Sequence, residues 1–294
     1  LMYQKKMRKT GLYFVLPELF LLLFLVLYPA TFSFTITFLH WNLKRPDKIG
    51  QFAGLDNYIE VINSPLFQVG LLNSFLFAFA TITFTMLISL AFALILNESF
   101  KGKPILQAFL LIPWAIPGVA NAVMWKWIYD SNFGLLNNIL FALGLIKDYL
   151  PFLSDPSLAR FSVINAFIYR SVPLATVILL AALQAVPKDL LEAAEIDGAG
   201  AVRKFFSVVW PYMRTYFFVA LVLITLDAFR VFDIIYVLTF GGPGNATTLL
   251  SWLVYVFSFQ LLDFSQGCIV AYIIVAITAL LAMLYSKIFR GEEL

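Results

Sequence analysis

The chain has 294 residues, 62% of them apolar and only 13% charged, with 31 Phe. A soluble domain averages about half apolar and a quarter charged, so this composition excludes a water-soluble monomer and predicts a polytopic membrane protein. The net charge of +3, from 20 Lys and Arg against 17 Asp and Glu, is small and scattered, which argues against a nucleic-acid partner.

In chain order, Lys5, Lys6, Arg8 and Lys9 precede an apolar run from Gly11 to Leu39. That run is too long for the apolar core of a signal peptide and lacks a small-residue cleavage site, so it reads as a retained first span. Six apolar stretches stand out, at roughly 12–39, 71–96, 105–128, 160–183, 214–239 and 266–289. About 20 apolar residues cross the hydrocarbon layer as a helix, and the absence of period-two alternation argues against a membrane barrel. The expected fold class is all-α, one domain over 1–294 with six transmembrane helices. Six spans put both termini on one face. With the termini cytosolic, the inner segments hold twelve Lys and Arg and the outer ones six, in the sense of the positive-inside rule.

Between spans, residues 50–70 mix apolar and polar positions and suit a short helix at the interface. Pro113 and Pro117 each remove a backbone donor and are expected to kink or break the third span, beside the pathway or only as a shape of the bundle. Trp114, Trp125 and Trp127 read as packing or interface anchors. The long cytosolic segment 184–213 contains PKDLLEAAEIDGAGAVRKFFSVVWP from Pro187 to Pro211. Pro187 and Asp189 favour a helix start, Gly198 a stop, and Ala199 to Phe206 a second short helix. Gly241, Gly242, Pro243 and Gly244 mark a tight loop after span five, and residues 249–264, with Trp252, Tyr255, Phe257 and Phe259, suit an amphipathic segment in an aromatic belt.

Covalent chemistry has little to work with. The single histidine, His40, and single cysteine, Cys268, cannot supply paired metal ligands, a disulfide or a convincing nucleophile–base pair, and no phosphate-binding GxxxxGK[ST] loop occurs. No catalytic residue, metal ligand or bound cofactor is expected in this chain. Polar groups inside spans are costly and mark bundle interiors or cavities. Span four carries Asn165, Tyr169, Arg170, Ser171 and Thr176, and span five Thr225, Asp227, Arg230 and Asp233. On a continuous helix the last three share a stripe, i, i+3 and i+6. Asp227 and Arg170 either lock the two spans together or line a path; the sequence leaves both readings open. Arg230 and Asp233, nearer the outer end, read as structural.

The cytosolic segment resembles the EAA loop of the permease subunits of binding-protein-dependent ABC importers, through Glu192, Ala193, Ala194, Asp197, Gly198, Ala199 and Pro211. Other stretches are similar to the carbohydrate branch of that family, the maltose and glycerol-phosphate permeases: GLDNY at Gly54–Tyr58, PWAIP at Pro113–Pro117, LQAVP at Leu183–Pro187, and Phe232–Asp233 followed by LTFGGP at Leu238–Pro243. The resemblance implies a permease of the cell inner membrane, working with a second homologous permease, two ATPase subunits that bind ATP and Mg, and an extracytoplasmic solute-binding protein. It implies that Glu192, Ala193, Ala194, Asp197, Gly198 and Ala199 form a coupling knob that docks on an ATPase. Aligned on Pro173 and the GGP motif, the family's sugar-contact positions fall at Phe167, Ser171, Leu174, Ile224, Asp227, Ala228 and Val231, and Arg170 joins them as a path candidate. A di- or oligosaccharide is the implied cargo, with a glycerol-phosphate or polyol as the alternative; outside transport, a membrane receptor or scaffold shares the spans without requiring the knob.

Overall fold

The computed structural model describes residues 15–289; Lys5, Lys6, Arg8, Lys9 and Arg290, on which part of the charge-bias argument rests, lie outside them. Among the described residues all regular structure is helical, with only two isolated bridges, Leu39 to Phe52 and Asn42 to Asp263. The contacts group into two compact units. One holds the described residues up to Ser64 together with Val254–Ile273, the other Pro65–Leu253 and Ile274 onwards.

In the first unit, helix α1 (Val15–Ile36) is an apolar span almost wholly exposed along its length. It ends at Ile36, a few residues before the expected boundary, because Thr37, Phe38 and Leu39 turn back on Phe34, Thr35 and Ile36. The GLDNY segment explains how the chain is then held. Asn57, on α2 (Asp56–Asn63), is buried and donates to the carbonyls of Thr37 at 3.1 Å and Leu39 at 2.8 Å, while the Tyr58 hydroxyl reaches Thr37 Oγ1 at 2.8 Å. These bonds satisfy carbonyls that the helix end would leave orphaned. The interfacial helix expected in 50–70 is α2 alone, since Pro65 already opens the next span.

The second unit is built on long helices. Helix α3 (Pro65–Asn97) packs along α7 (Pro156–Gln184), and α10 (Trp210–Arg230) lies against both. Phe77 meets Phe167 edge to face at 5.4 Å, and Ser89 Oγ donates to Val172 O at 3.0 Å. Asp155 starts α7 by accepting from the amides of Ser157 and Leu158, the usual way to satisfy first-turn donors. The third stretch is a broken pair, α4 (Lys103–Ala115) and α5 (Gly118–Ile128), bent by 100°. Ile116, forced toward extended backbone by the proline that follows, has ψ 127°, and Pro117 cannot donate to the preceding turn. A short helix, α6 (Leu135–Ala142), leads to α7.

Among the described residues four helices are long and apolar enough to cross a membrane, α1, α3, α7 and α13 (Phe264–Phe289), with a fifth if the bent pair is counted as one broken span. The fifth expected stretch, 214–239, is corrected. Helix α10 stops at Arg230, Val231 is extended with ψ 122°, and a separate helix α11 (Asp233–Leu238) begins. Asp233 is therefore not on one helical stripe with Asp227 and Arg230. Residues 249–264 meet the expectation only in part: Phe259 is 63% exposed, but Trp252 and Phe257 are not. Helix α12 (Leu250–Tyr255, extended to Gln260 by a π-turn) buries Trp252 and Phe257 instead of offering them to an aromatic belt.

Candidate functional site

Two neighbouring faces of the second unit build a cavity of about 160 Å³. Phe167, Arg170, Ser171 and Leu174 sit on α7 at i, i+3, i+4 and i+7, and Ile224, Asp227 and Val231 repeat the i, i+3, i+7 spacing along α10 and just past its end; side chains at these spacings share one helical face. Trp114 from α4, Arg230 and Asp233 complete the lining. The path candidates Phe167, Arg170, Ser171, Leu174, Asp227 and Val231 thus meet in one place, as does Ile224. Ala228 does not line the cavity: it is 2% exposed, turned into the packing behind the wall.

Charge is distributed in this cavity differently from the sequence expectation. Arg170 Nη1 lies 3.8 Å from Asp233 Oδ2, so its ion-pair partner is Asp233 and not Asp227. A glycine makes this possible. A Cβ on Gly118, the first residue of α5, would fall 1.4 Å from Asp233 Oδ2 and 3.3 Å from Arg170 Nη1. The Asp233 carboxylate therefore rests against the N-terminal turn of α5, where exposed amides and the helix dipole favour negative charge. Asp227 and Arg230 remain exposed on the surface of this chain. Trp114, expected to be a packing or interface anchor, is 54% exposed at the cavity. Its role was invisible to composition, because it follows from the break at Pro117 that turns the end of α4.

The segment between α7 and α10 forms a small knob. Helix α8 (Lys188–Ile196) buries none of its residues. Its end is a Schellman turn: Gly198 at φ +74° donates to Glu195 O, and Ala199 donates to Ala194 O at 2.9 Å. The left-handed backbone there is what the glycine supplies. Helix α9 (Ala201–Lys204) returns, tied to α8 by an ion pair between Lys204 and Glu195. The second short helix does not end near Phe206; a π-turn at Phe205–Val209 carries it without interruption into α10. Glu192, Ala193, Asp197 and Gly198 are exposed and Ala194 and Ala199 half-buried. Around them Ile196 is 87%, Val202 72% and Phe206 64% exposed. Among the described residues no group of His, Cys, Asp and Glu has the arrangement of a metal site.

Comparison with known proteins gives these features a context. Residues 85–290 match the family described as "Binding-protein-dependent transport system inner membrane component". The chain is 38% identical over 283 residues, 96% of its own length and 94% of the relative's, to a trehalose/maltose transport system permease protein, MalF, of Thermococcus litoralis. It is 30% identical over 274 residues, 90% of both chains, to a sn-glycerol-3-phosphate transport system permease protein, UgpA, of Pectobacterium atrosepticum. Its fold is similar to a chain in the crystal structure of a bacterial alginate ABC transporter in complex with an alginate pentasaccharide-bound periplasmic protein, with TM-score 0.82, 20% identity and coverage of 98% of this chain and 96% of that one. The chain belongs to the family of inner membrane components of binding-protein-dependent transport systems.

Proposed function

We propose that this chain is one half of the translocation pore of an ATP-driven importer for a neutral di- or oligosaccharide, with six spans, cytosolic termini, a second homologous permease, two ATPase subunits and an outer solute-binding protein. One observation carries the reading: Asp227 and Arg230 stand exposed on α10 and half-buried Arg170 sits at the midpoint of α7, all lining one cavity, and the same α10 runs unbroken from the α8–α9 knob. Charges at that depth are too costly to face lipid, so they face a water-filled path or a partner. Two Arg and two Asp leave the lining with no net charge, which suits an uncharged sugar, with exposed Trp114 as an apolar surface for a ring face. A knob rigidly continuous with α10 converts closure of an ATPase dimer into movement of the cavity wall.

Similarity to the trehalose/maltose permease supports the sugar reading. The alternative cargo, a glycerol phosphate, is supported by the glycerol-3-phosphate relative and by Arg170 and Arg230 in the lining. The test is capture of the chain in mild detergent and assay of the ATPase that accompanies it, beside a Glu192→Arg, Gly198→Trp double variant. Activity with the wild type and loss with the variant supports coupling through the knob; equal activity in both refutes it. Competition of uptake by maltose-type sugars against glycerol 3-phosphate then decides the cargo.

A further inference from the structure

A polar concavity of the first unit lies just past the end of α1 and at the start of α13. It encloses about 300 Å³ and is lined by His40, Lys44, Arg45 and Lys48 with Glu60, Asp263 and their neighbours. It is a built pocket. The Trp41 amide donates to Ser265 Oγ at 2.8 Å, Ser265 Oγ donates to Leu39 O at 2.7 Å, and Asn42 Nδ2 donates to Asp263 Oδ2 at 2.8 Å. The second Asp263 oxygen accepts the Gln266 amide at 3.1 Å. Both acidic oxygens are thus occupied within the floor. The three cations Lys44, Arg45 and Lys48 are exposed at the mouth, and the ion pairs found among the described residues, Arg170 with Asp233 and Lys204 with Glu195, include none of them. Counting Glu60 and Asp263 against these three cations leaves the lining at +1 with His40 neutral.

Depth narrows the ligand. Helix α1 has 22 described residues, about 33 Å at 1.5 Å per residue, enough for the hydrocarbon core. His40 and Trp41 follow its end at Ile36 by about one turn, and Ser265 and Gln266 lie in the first turn of α13. The headgroup layer is roughly 5–8 Å thick on each side, so the pocket falls within it. Two neighbours fit that placement. Trp41 stacks edge-on against Phe32 at 5.8 Å, an aromatic at the interface. Helix α2 gives Asn57 and Glu60 to the pocket, while Phe52, Leu55 and Ile59 nearby are 79%, 61% and 57% exposed apolar side chains, the arrangement of a segment lying on acyl chains.

We propose that this pocket holds a phosphate group, supplied by the headgroup of an anionic phospholipid, with Lys44, Arg45 and Lys48 as its ligands. Flexible cations at the mouth reach the phosphate oxygens while their stems stay along apolar surface. The proposal does not depend on which cargo the pore carries.

The test uses the full chain, with whatever subunits accompany it, delipidated in detergent and titrated with phosphatidylglycerol, phosphatidylcholine or inorganic phosphate under native mass spectrometry. The wild type should retain phosphatidylglycerol in preference to phosphatidylcholine. A Lys44→Gln, Arg45→Gln, Lys48→Gln variant should retain it about a hundredfold less, from about fivefold per cation near an anionic surface. Glu60→Gln should tighten retention about fivefold, and this arm does not depend on the triple variant folding. Equal retention in wild type and both variants overturns the proposal. Displacement of the lipid by inorganic phosphate alone keeps the phosphate site and overturns its lipid source. Loss of an accompanying outer protein from the triple variant, with lipid retention unchanged, overturns the proposal in favour of a protein acidic segment.

Discussion

The knob at α8–α9 and the cavity wall of α7 and α10 are both incomplete, and for opposite physical reasons. The knob shows Ile196, Val202 and Phe206 on a short two-helix element that buries none of its own residues. Apolar area of this kind stays in water only until a partner covers it, at about 25 cal/mol per Å². The cavity wall shows Asp227 and Arg230 exposed on the 21-residue helix α10, and for a chain of this family the expensive exposure there is charge to lipid. Each surface is therefore wrong for the medium it would meet if the chain stood alone. A subunit whose two unsatisfied surfaces lie on one continuous helix, α10 with its π-turn extension, is suited to pass a movement from one to the other.

That contrast can be broken in order of expected effect. Ile196→Asp should weaken capture of the ATPase by about thirtyfold or more, the range of an interface hot spot of about 2 kcal/mol or above, while the melting of the isolated chain shifts by no more than about 0.5 kcal/mol. A large loss of intrinsic stability in this variant would mean that the knob is packed against its own chain. Gly118→Val should lower stability by about 1–3 kcal/mol, because its Cβ has no room beside Asp233 Oδ2. Shortening Asp233 to Gly in the same chain should recover part of that loss, and a purely additive double variant would remove the close approach as the cause.

Gly198→Ala should cost about 1–2 kcal/mol at the knob by forcing a side chain into left-handed backbone at φ +74°. Hydrogen exchange of the Gly198 and Ala199 amides should report it, and unchanged protection would show that the turn relaxes elsewhere. The smallest structural effect is expected for Asp227→Asn. Its carboxylate has no ion pair among those found in the described residues, so stability should stay within about 0.5 kcal/mol while apparent affinity for the transported sugar shifts severalfold. The reverse pattern, lower stability with unchanged uptake, would make Asp227 a lock after all.

Much of the fold is legible along the chain because bilayer thickness imposes a length and composition on each span, and these are local properties. Pro117 announces the break between α4 and α5 for the same reason: a missing donor and a restricted preceding residue are set by covalent geometry. The Gly198 turn is equally local. The cavity was legible only as two rows of positions with helical spacing. Which acid faces which base was not, because Asp233 belongs to a second helix that the apolar continuity of 214–239 conceals. The short stop at Val231 leaves no gap in hydrophobicity, so a reading by apolar runs passes straight over it.

The sequence by itself determined that this is a helical membrane protein with polar positions at helical spacing on α7 and α10 and a glycine-terminated knob between them, since each follows from composition or from bonds within one turn of helix. Only the tertiary structure decided that Arg170 pairs with Asp233, that Trp114 reaches the cavity and that Asn57 holds the end of α1. Those contacts join residues 18 or more apart in sequence, and their partners are chosen by how helices pack, through a missing Cβ at Gly118 and a 100° bend, which no local pattern encodes.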